Sequence, residues 1–410
     1  MLSGCWFEFP FHTLAQPAAI MSPQSPARLL LALPLLLTAP IALAADPAYF
    51  DLNQPAATQA AQYVELDNPA KLAGVGKLVI PQFRIEFQTR AEASSASGGY
   101  RGGSGSASAH VHLKGLDDAL FQKVTDYAYA SFKAKLAAAG LEAIGPESLA
   151  EEAEYQPILK VGKPSPAELE TKDSVSRFFA PAGGRVYTLL RQTDKDRQGF
   201  MSGLSSGFED TGKELPKAEL ALARKFNAPC LKVLLTVRPA QVNAGAIGGG
   251  GLIGAVGAAV NLAGEKAQPG LTLTEESRFV FRSAEHSEND FKMFGGKRFF
   301  GNKVRDFSQE GDSAIFLKKD VIVAESISDG GLQETTSAAR KVGNVLAIAT
   351  ALTLGVSDQH HEYTVDAHPD KFVAVVTREL DAAFDMLIAR LIEARQTTVT
   401  PAADPGKAAE

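Results

Sequence analysis

The sequence predicts an α/β (α+β) fold: a mixed sheet with packed helices, long β-hairpin excursions and a C-terminal amphipathic helix. Three observations carry that prediction. Between Leu78 and Ile144 an alternating strand, a long helical stripe and a short apolar strand follow one another. From Pro216 to Val237 the order helix, then strand, recurs, and Pro369 to Arg395 holds one apolar stripe at helical spacing. Of 410 residues, 45% are hydrophobic and 21% charged, which is globular composition. The formal net charge of −6 gives no global electrostatic case for binding nucleic acid, and two cysteines cannot form a disulfide scaffold.

Residues 1–44 read as an export signal. The apolar run Leu29–Ala44 is preceded by Arg28, is too short and proline-broken to span a bilayer, and closes on Ala42-Leu43-Ala44, the small-x-small pattern cut by signal peptidases. Residues 1–20 hold no Lys or Arg, so Met21 is the expected start of translation. Cys5 then falls outside the mature chain. Cys230 remains alone in the apolar run PCLKVLLTV, where a thiol acts as a small buried hydrophobe.

Residues 45–76 lack a period and read as an extended lead-in. A first α/β unit is expected over 77–160. Its strand Leu78–Thr89 alternates Val79, Phe83, Ile85 and Phe87 with Gln82, Arg84, Glu86 and Gln88, the pattern of a half-buried strand. The Gly/Ser-rich stretch Ser94–Ser108 reads as a mobile hairpin tip before a strand at His110–Leu113. Asp117 or Asp118 caps a helix to Ala139 with Leu120, Val124, Ala128, Phe132 and Leu136 on one face and Gly140 as its stop. Leu141–Ile144 is a short strand, and Pro146 opens a short helix to about Ala153.

A second α/β unit is expected over 161–396. Lys160–Asp173 reads as a loop, Arg185–Gln192 as a strand and Asp194–Gly212 as a polar excursion. Pro216–Phe226 is a helix leading into the strand Leu231–Val237. Strands follow at Leu271–Arg282 and Ser313–Ser326, Val342–Val356 reads as a buried helix, and Pro369–Arg395 is the terminal helix, with Phe372, Val376, Leu380, Phe384, Leu387 and Leu391 in register. Residues 397–410 form a polar tail.

Several motifs touch on chemistry. Gly203-Leu204-Ser205-Ser206-Gly207 fits G-x-S-x-G, but no apolar strand precedes Ser205 and no helix follows, as a nucleophile elbow requires. Gly249, Gly251 and Gly254 fit G-x-G-x-x-G, yet Arg238-Pro239-Ala240 separates them from the preceding strand, against a dinucleotide turn. The stretch Ala244–Gly264 is 21 residues without a charge; its functional reading is contact with a membrane or partner, its plain reading a self-packed insertion. His360, His361, Glu362, Asp366 and His368 are the densest set of potential metal ligands, but without helical i, i+4 spacing, and adjacent histidines in an extended segment face opposite ways. A solvated loop is the expectation there. His110 and His112 share one strand face with nothing nearby in sequence to complete a site. Lys292, Lys297, Arg298, Lys303 and Arg305 form a basic aromatic segment whose functional reading is contact with acidic lipid headgroups or an acidic partner; balanced by Glu288, Asp290, Asp306 and Glu310, its plain reading is a solvated hairpin. No catalytic, cofactor or metal site is predicted.

The run Leu120–Glu152, helix, Gly140, short strand, Pro146 and a second helix beginning ESLAEEA, resembles the α/β module of the curli secretion channel family and of the TolB N-terminal domain. Ala218–Val237, with FNAPCLKVLLTV, is similar to that family's second unit. The resemblance covers about a third of the chain. It implies export, association with the cell envelope, and, as in the channel family, subunit hairpins that build an outer-membrane barrel with a lipidated cysteine as anchor. No cysteine directly follows the signal, so the anchor does not carry over. The functional expectation is a non-enzymatic exported envelope protein, periplasmic or attached to the outer membrane, that assembles with itself or with an envelope transport complex. The alternatives are a periplasmic binding protein for a lipid or other apolar ligand and, behind it, an exported hydrolase using Ser205 or the histidine cluster.

Overall fold

A computed structural model describes residues 49–98, 104–170, 174–187, 214–241, 268–284, 298–300, 303–305, 311–341, 344 and 356–396. The signal segment, the excursion Asp194–Gly212, the glycine-rich stretch Ala244–Gly264, nearly all of the helix expected at Val342–Val356 and the tail lie outside the described residues. The lead-in is not extended. Ala56–Tyr63 forms helix α1, Val64–Asp67 strand β1 and Pro69–Leu72 a single 3-10 turn. Asn68, at φ 52, makes the left-handed step between the last two, and its side-chain amide donates to the Asp312 carbonyl at 2.8 Å. Tyr63, Val64 and Leu72 are buried, so tertiary contact orders a segment that has no period of its own.

Strand β2, Lys77–Gly98, is the spine of the sheet. It forms a long hairpin with β3, Ser104–Lys114, in register from Arg90↔His112 to Gly98↔Ser104. The ladder thus takes in both flanks of the Gly/Ser-rich stretch expected to be a mobile tip, with residues 99–103 outside the described residues, because β3 is paired on both sides and its backbone groups find partners whatever the side chains. Helix α2, Asp118–Ala138, follows as predicted: the Asp117 carboxylate accepts from the Leu120 N–H at 2.8 Å, and Gly140 at φ 71 ends the element. Strand β4, Glu142–Ile144, and helices α3, Pro146–Leu149, and α4, Gln156–Val161, come next.

The region around the expected loop Lys160–Asp173 instead holds a hairpin of β5, Ala167–Glu170, and β6, Ser174–Phe179. Of the strand expected at Arg185–Gln192 only residues 185–187 are described, with one bridge, Val186↔Lys163; residues 188–213 lie outside the described set. Helix α5, Glu214–Phe226, ends at Asn227 (φ 46) and leads into β7, Cys230–Gln241. The two long strands expected next are each broken by a turn. Gln268–Leu273 is β8 and Arg278–Arg282 is β9, divided at the polar tetrad Thr274–Ser277. The residues Arg298–Phe300 and Lys303–Arg305 form a separate pair, β10 and β11. Ser313–Leu317 is β12 and Val321–Val323 is β13, divided at Lys318–Asp320, where the Asp320 carboxylate accepts from the Glu275 N–H at 2.8 Å and ties the two turns together. Leu332–Glu334 is β14, Val356–Asp366 is β15 and Pro369–Gln396 is helix α6.

The sheet is mixed, as predicted, with main order β1-β12-β9-β7-β2-β3-β15-β14. β2 runs parallel to β7 and β4 and antiparallel to β3 and β6, and β15 runs parallel to β3. Strands from both expected α/β units therefore share one sheet. On one face α2 and α6 cover an apolar layer. Phe372, Val376, Leu380, Phe384, Leu387 and Leu391 of α6 are all fully buried, each worth about 1.5–3 kcal/mol. Phe132 links the layers, its ring 5.8 Å from Phe83 of β2, 5.2 Å from Phe279 of β9 and 5.2 Å from Phe384 of α6. On the opposite face α3, α4 and α5 enclose a smaller core around Val79, Leu149, Tyr155, Ile158 and Leu222.

Candidate functional site

The second face of the sheet holds the chemistry. Register aligns Gln82 with Lys232, Arg84 with Leu234 and Glu86 with Thr236 across β2 and β7, and Leu234 with Arg278 and Cys230 with Arg282 across β7 and β9. These polar side chains are not solvated: Gln82, Arg84, Glu86 and Gln88 are 0–1% exposed. The half-buried strand expected for β2 is therefore buried on both faces. Alternation correctly separates its two sides, but it does not show that a layer of chain covers the second side as well as the first.

Two groups organise this row. Glu86 accepts from Ser176 Oγ at 2.7 Å, Thr236 Oγ1 at 3.2 Å and Gln88 Nε2 at 3.4 Å, and Gln88 in turn accepts from Arg238 Nε at 2.9 Å. The Arg84 guanidinium lies 4.9 Å from the centre of the Phe178 ring. Further down, Glu219 reaches in from α5 to Arg282 Nε at 2.8 Å, Lys232 Nζ at 3.0 Å and the Tyr187 hydroxyl at 3.1 Å. Burial pushes the Glu219 carboxyl up, but the two cations outweigh it and hold it below its ordinary value. Cys230 Sγ donates to the Glu219 carbonyl at 3.0 Å, and burial raises this thiol well above the usual range, so it is an inert thiol, not a nucleophile.

Beyond Arg90 the same face continues over β2, β3 and β15 as a ladder of histidines and carboxylates. His110 and His112 do share a face, and the partners missing from the nearby sequence come from elsewhere. Glu92 of β2 lies 3.5 Å from His110 Nε2, and the His360 ring packs against the His110 ring with centroids 4.4 Å apart. His360 Nδ1 is 2.7 Å from Ser108 Oγ, and its Nε2 is 3.3 Å from Glu362 Oε1, which also accepts from Arg340. Asn344 clamps the His360 backbone, accepting from its N–H and donating to its carbonyl, each at 2.9 Å. Burial first, then the neighbouring His360 and His112, lower His110 to about 4. Partial burial raises the Glu362 carboxyl, while the hydrogen bond from His360 and the charge of Arg340 bring it below its ordinary value.

Comparison with protein-family models, with curated proteins and with solved structures finds no match. The reading of this face therefore rests on its own geometry. The dense cluster of the sequence is a strand, not a solvated loop, and the strand disperses it. His360 and Glu362 face His110, whereas His361 turns the other way to Glu334, at 3.4 Å, and Tyr363. Asp366 is exposed at the far end, and the His368 N–H donates to the Ile327 carbonyl. Among the described residues no three His, Cys, Asp or Glu side chains converge as ligands for an ion. Ser205, the glycines Gly249, Gly251 and Gly254, Lys292 and Lys297 lie outside the described residues. Arg298, Lys303 and Arg305 lie on β10 and β11, with Arg298 paired to Arg305.

One further ionisable group is sealed in the apolar layer under α6. Glu379 is fully buried; its Oε1 accepts from the Leu273 N–H at 2.9 Å and its Oε2 has no partner among the described residues. Burial, opposed by that hydrogen bond and reinforced by Asp320, raises its carboxyl to about 8. A value near 8 keeps it neutral at pH 7.

Proposed function

We propose that the protein is an exported cell-envelope protein that assembles with itself or with an envelope complex, using one end of its sheet. The observation that supports this reading is strand direction. β2 and β7 are parallel and end at Gly98 and Gln241; β3 and β8, antiparallel to them, begin at Ser104 and Gln268; and β15, parallel to β3, begins at Val356. All five termini lie at the same end of the sheet. The Gly/Ser-rich hairpin, the uncharged stretch Ala244–Gly264 and the apolar stretch that ends at Val356 therefore join the fold towards one end of the sheet. A chain that gathers its low-charge segments at one end is suited to meet an apolar partner there. Among the described residues no helix is long and apolar enough to cross a membrane. The role needs no reaction and no cofactor, and the export signal supplies the compartment.

Envelope fractionation tests the reading. Expressed from Met21, the wild-type chain is expected in the envelope fraction. A variant with Ala244–Gly264 replaced by a charged linker of equal length is expected in the soluble periplasmic fraction with its fold intact by circular dichroism. A wild-type chain recovered wholly as a soluble species, or a variant that partitions like the wild type, would overturn the reading.

A further inference from the structure

Across the parallel pair β3–β15, Ser108, His360 and Glu362 stand as hydroxyl, imidazole and carboxylate in hydrogen-bond sequence, 2.7 Å and then 3.3 Å apart. The protons can be assigned. The Glu362 carboxyl is held below its ordinary value and is ionised, so it only accepts. The proton of a neutral His360 must then sit on Nε2 and point at Glu362, which leaves the Nδ1 lone pair to accept from the Ser108 hydroxyl. A hydroxyl on a base whose second nitrogen is fixed by a carboxylate is the arrangement that activates a serine nucleophile. Here the serine meets Nδ1 and the acid Nε2, and the tautomer logic is unchanged.

The base is also held in place. Asn344 clamps the His360 backbone on both sides, Thr336 Oγ1 accepts from the Glu362 N–H at 2.9 Å, and Arg340 holds the Glu362 carboxylate. The set is reachable, since the His360 and Glu362 side chains are 27% and 33% exposed. Beside it lie the His110 imidazole, lowered to about 4 mainly by burial, and the Glu92 carboxylate 3.5 Å from its Nε2.

We propose that Ser108 is an acyl-accepting nucleophile, with His360 as its general base and Glu362 as the positioning residue, acting on small esters. Ser108 Oγ forms a bond to the ester carbonyl carbon while its proton passes to His360 Nδ1. The C–O bond to the alcohol then breaks, and the leaving alkoxide takes that proton. Water attacks the acyl-serine, gives a proton to Nδ1, and the released carboxylic acid frees the serine with its proton restored. The inference is independent of the assembly role, because it concerns only the face of β3 and β15.

The test uses the full chain expressed from Met21, treated with a biotinylated fluorophosphonate, which loses fluoride as serine oxygen attacks phosphorus, followed by peptide mapping. The wild type is expected to be labelled at Ser108 and to hydrolyse p-nitrophenyl acetate. His360→Gln should lower both rates about 10²-fold, and Ser108→Ala should abolish labelling of that peptide, with circular dichroism unchanged. If His360→Gln does not fold, Glu362→Gln, which offers Nε2 an amide in place of a carboxylate, should lower labelling in the same direction. Label absent from Ser108, label confined to another serine such as Ser205, or equal labelling in folded His360→Gln or Glu362→Gln would overturn the proposal.

Discussion

In the layer between α6 and the sheet, Glu379 hydrogen-bonds only the Leu273 N–H, with its other oxygen unpartnered among the described residues. The folded chain keeps this carboxyl protonated to about pH 8, whereas an unfolded chain releases the proton near the ordinary value of 4.5. Between those values the native state binds the extra proton, so stability is full below the lower value and falls as pH rises towards the upper one. Glu379→Gln keeps an acceptor for Leu273 and cannot ionise. Thermal melts should place the variant close to wild type at pH 5 and above it at pH 8.5. At about 1.4 kcal/mol per pKa unit the gain is on the order of a few kcal/mol; a difference that does not change with pH would contradict the assignment. Sequence alone marks Glu379 as one more polar position on a helix, because its depth is set by β8 and β13, strands more than fifty residues away. The same holds for Gln82, Arg84, Glu86 and Gln88: alternation identifies their side of β2 but not the neighbours that remove water from it.

Among the elements, α2 and α6 are legible because each carries its own period, cap or stop, and both occur where the spacing predicts. Phe132, at the centre of their contact, is fully buried against Phe83, Phe279 and Phe384. Phe132→Ala should cost about 3–5 kcal/mol by removing a ring from a close-packed layer, as a lower denaturation midpoint with an unchanged slope in urea titrations; a cost below about 1 kcal/mol would mean that the three rings do not share one core. Three elements escape local reading for a common reason. β5 is four residues with two glutamates, β6 is short, and β15 is a mostly polar run, VSDQHHEYTVD, with Tyr363 and Val365 as its buried apolar residues. Each is a strand because a partner is present, β2 for β6 and β3 for β15, and pairing across such separations leaves no trace in a local window. The Ser108–His360–Glu362 set is invisible in sequence on the same ground: its serine stands 252 positions from its histidine.

At the scale of the molecule, the order of strands decides what the protein presents. The α/β class follows from the alternation of elements, but the placement of the hairpin β2–β3, the β7–β8 pair and the start of β15 at one end depends on which strands run parallel. That common end gives the assembly reading its physical content, since segments scattered through the sequence act together only if they leave the sheet together. Native mass spectrometry of the protein expressed from Met21, in mild detergent and without it, with the mature N-terminus read from the same sample, addresses that reading most directly. The account predicts a chain that begins at Ala45 and a multimer or complex whose mass depends on detergent. A monomer of unchanged mass in both conditions, or a chain that retains residues 21–44, would contradict it.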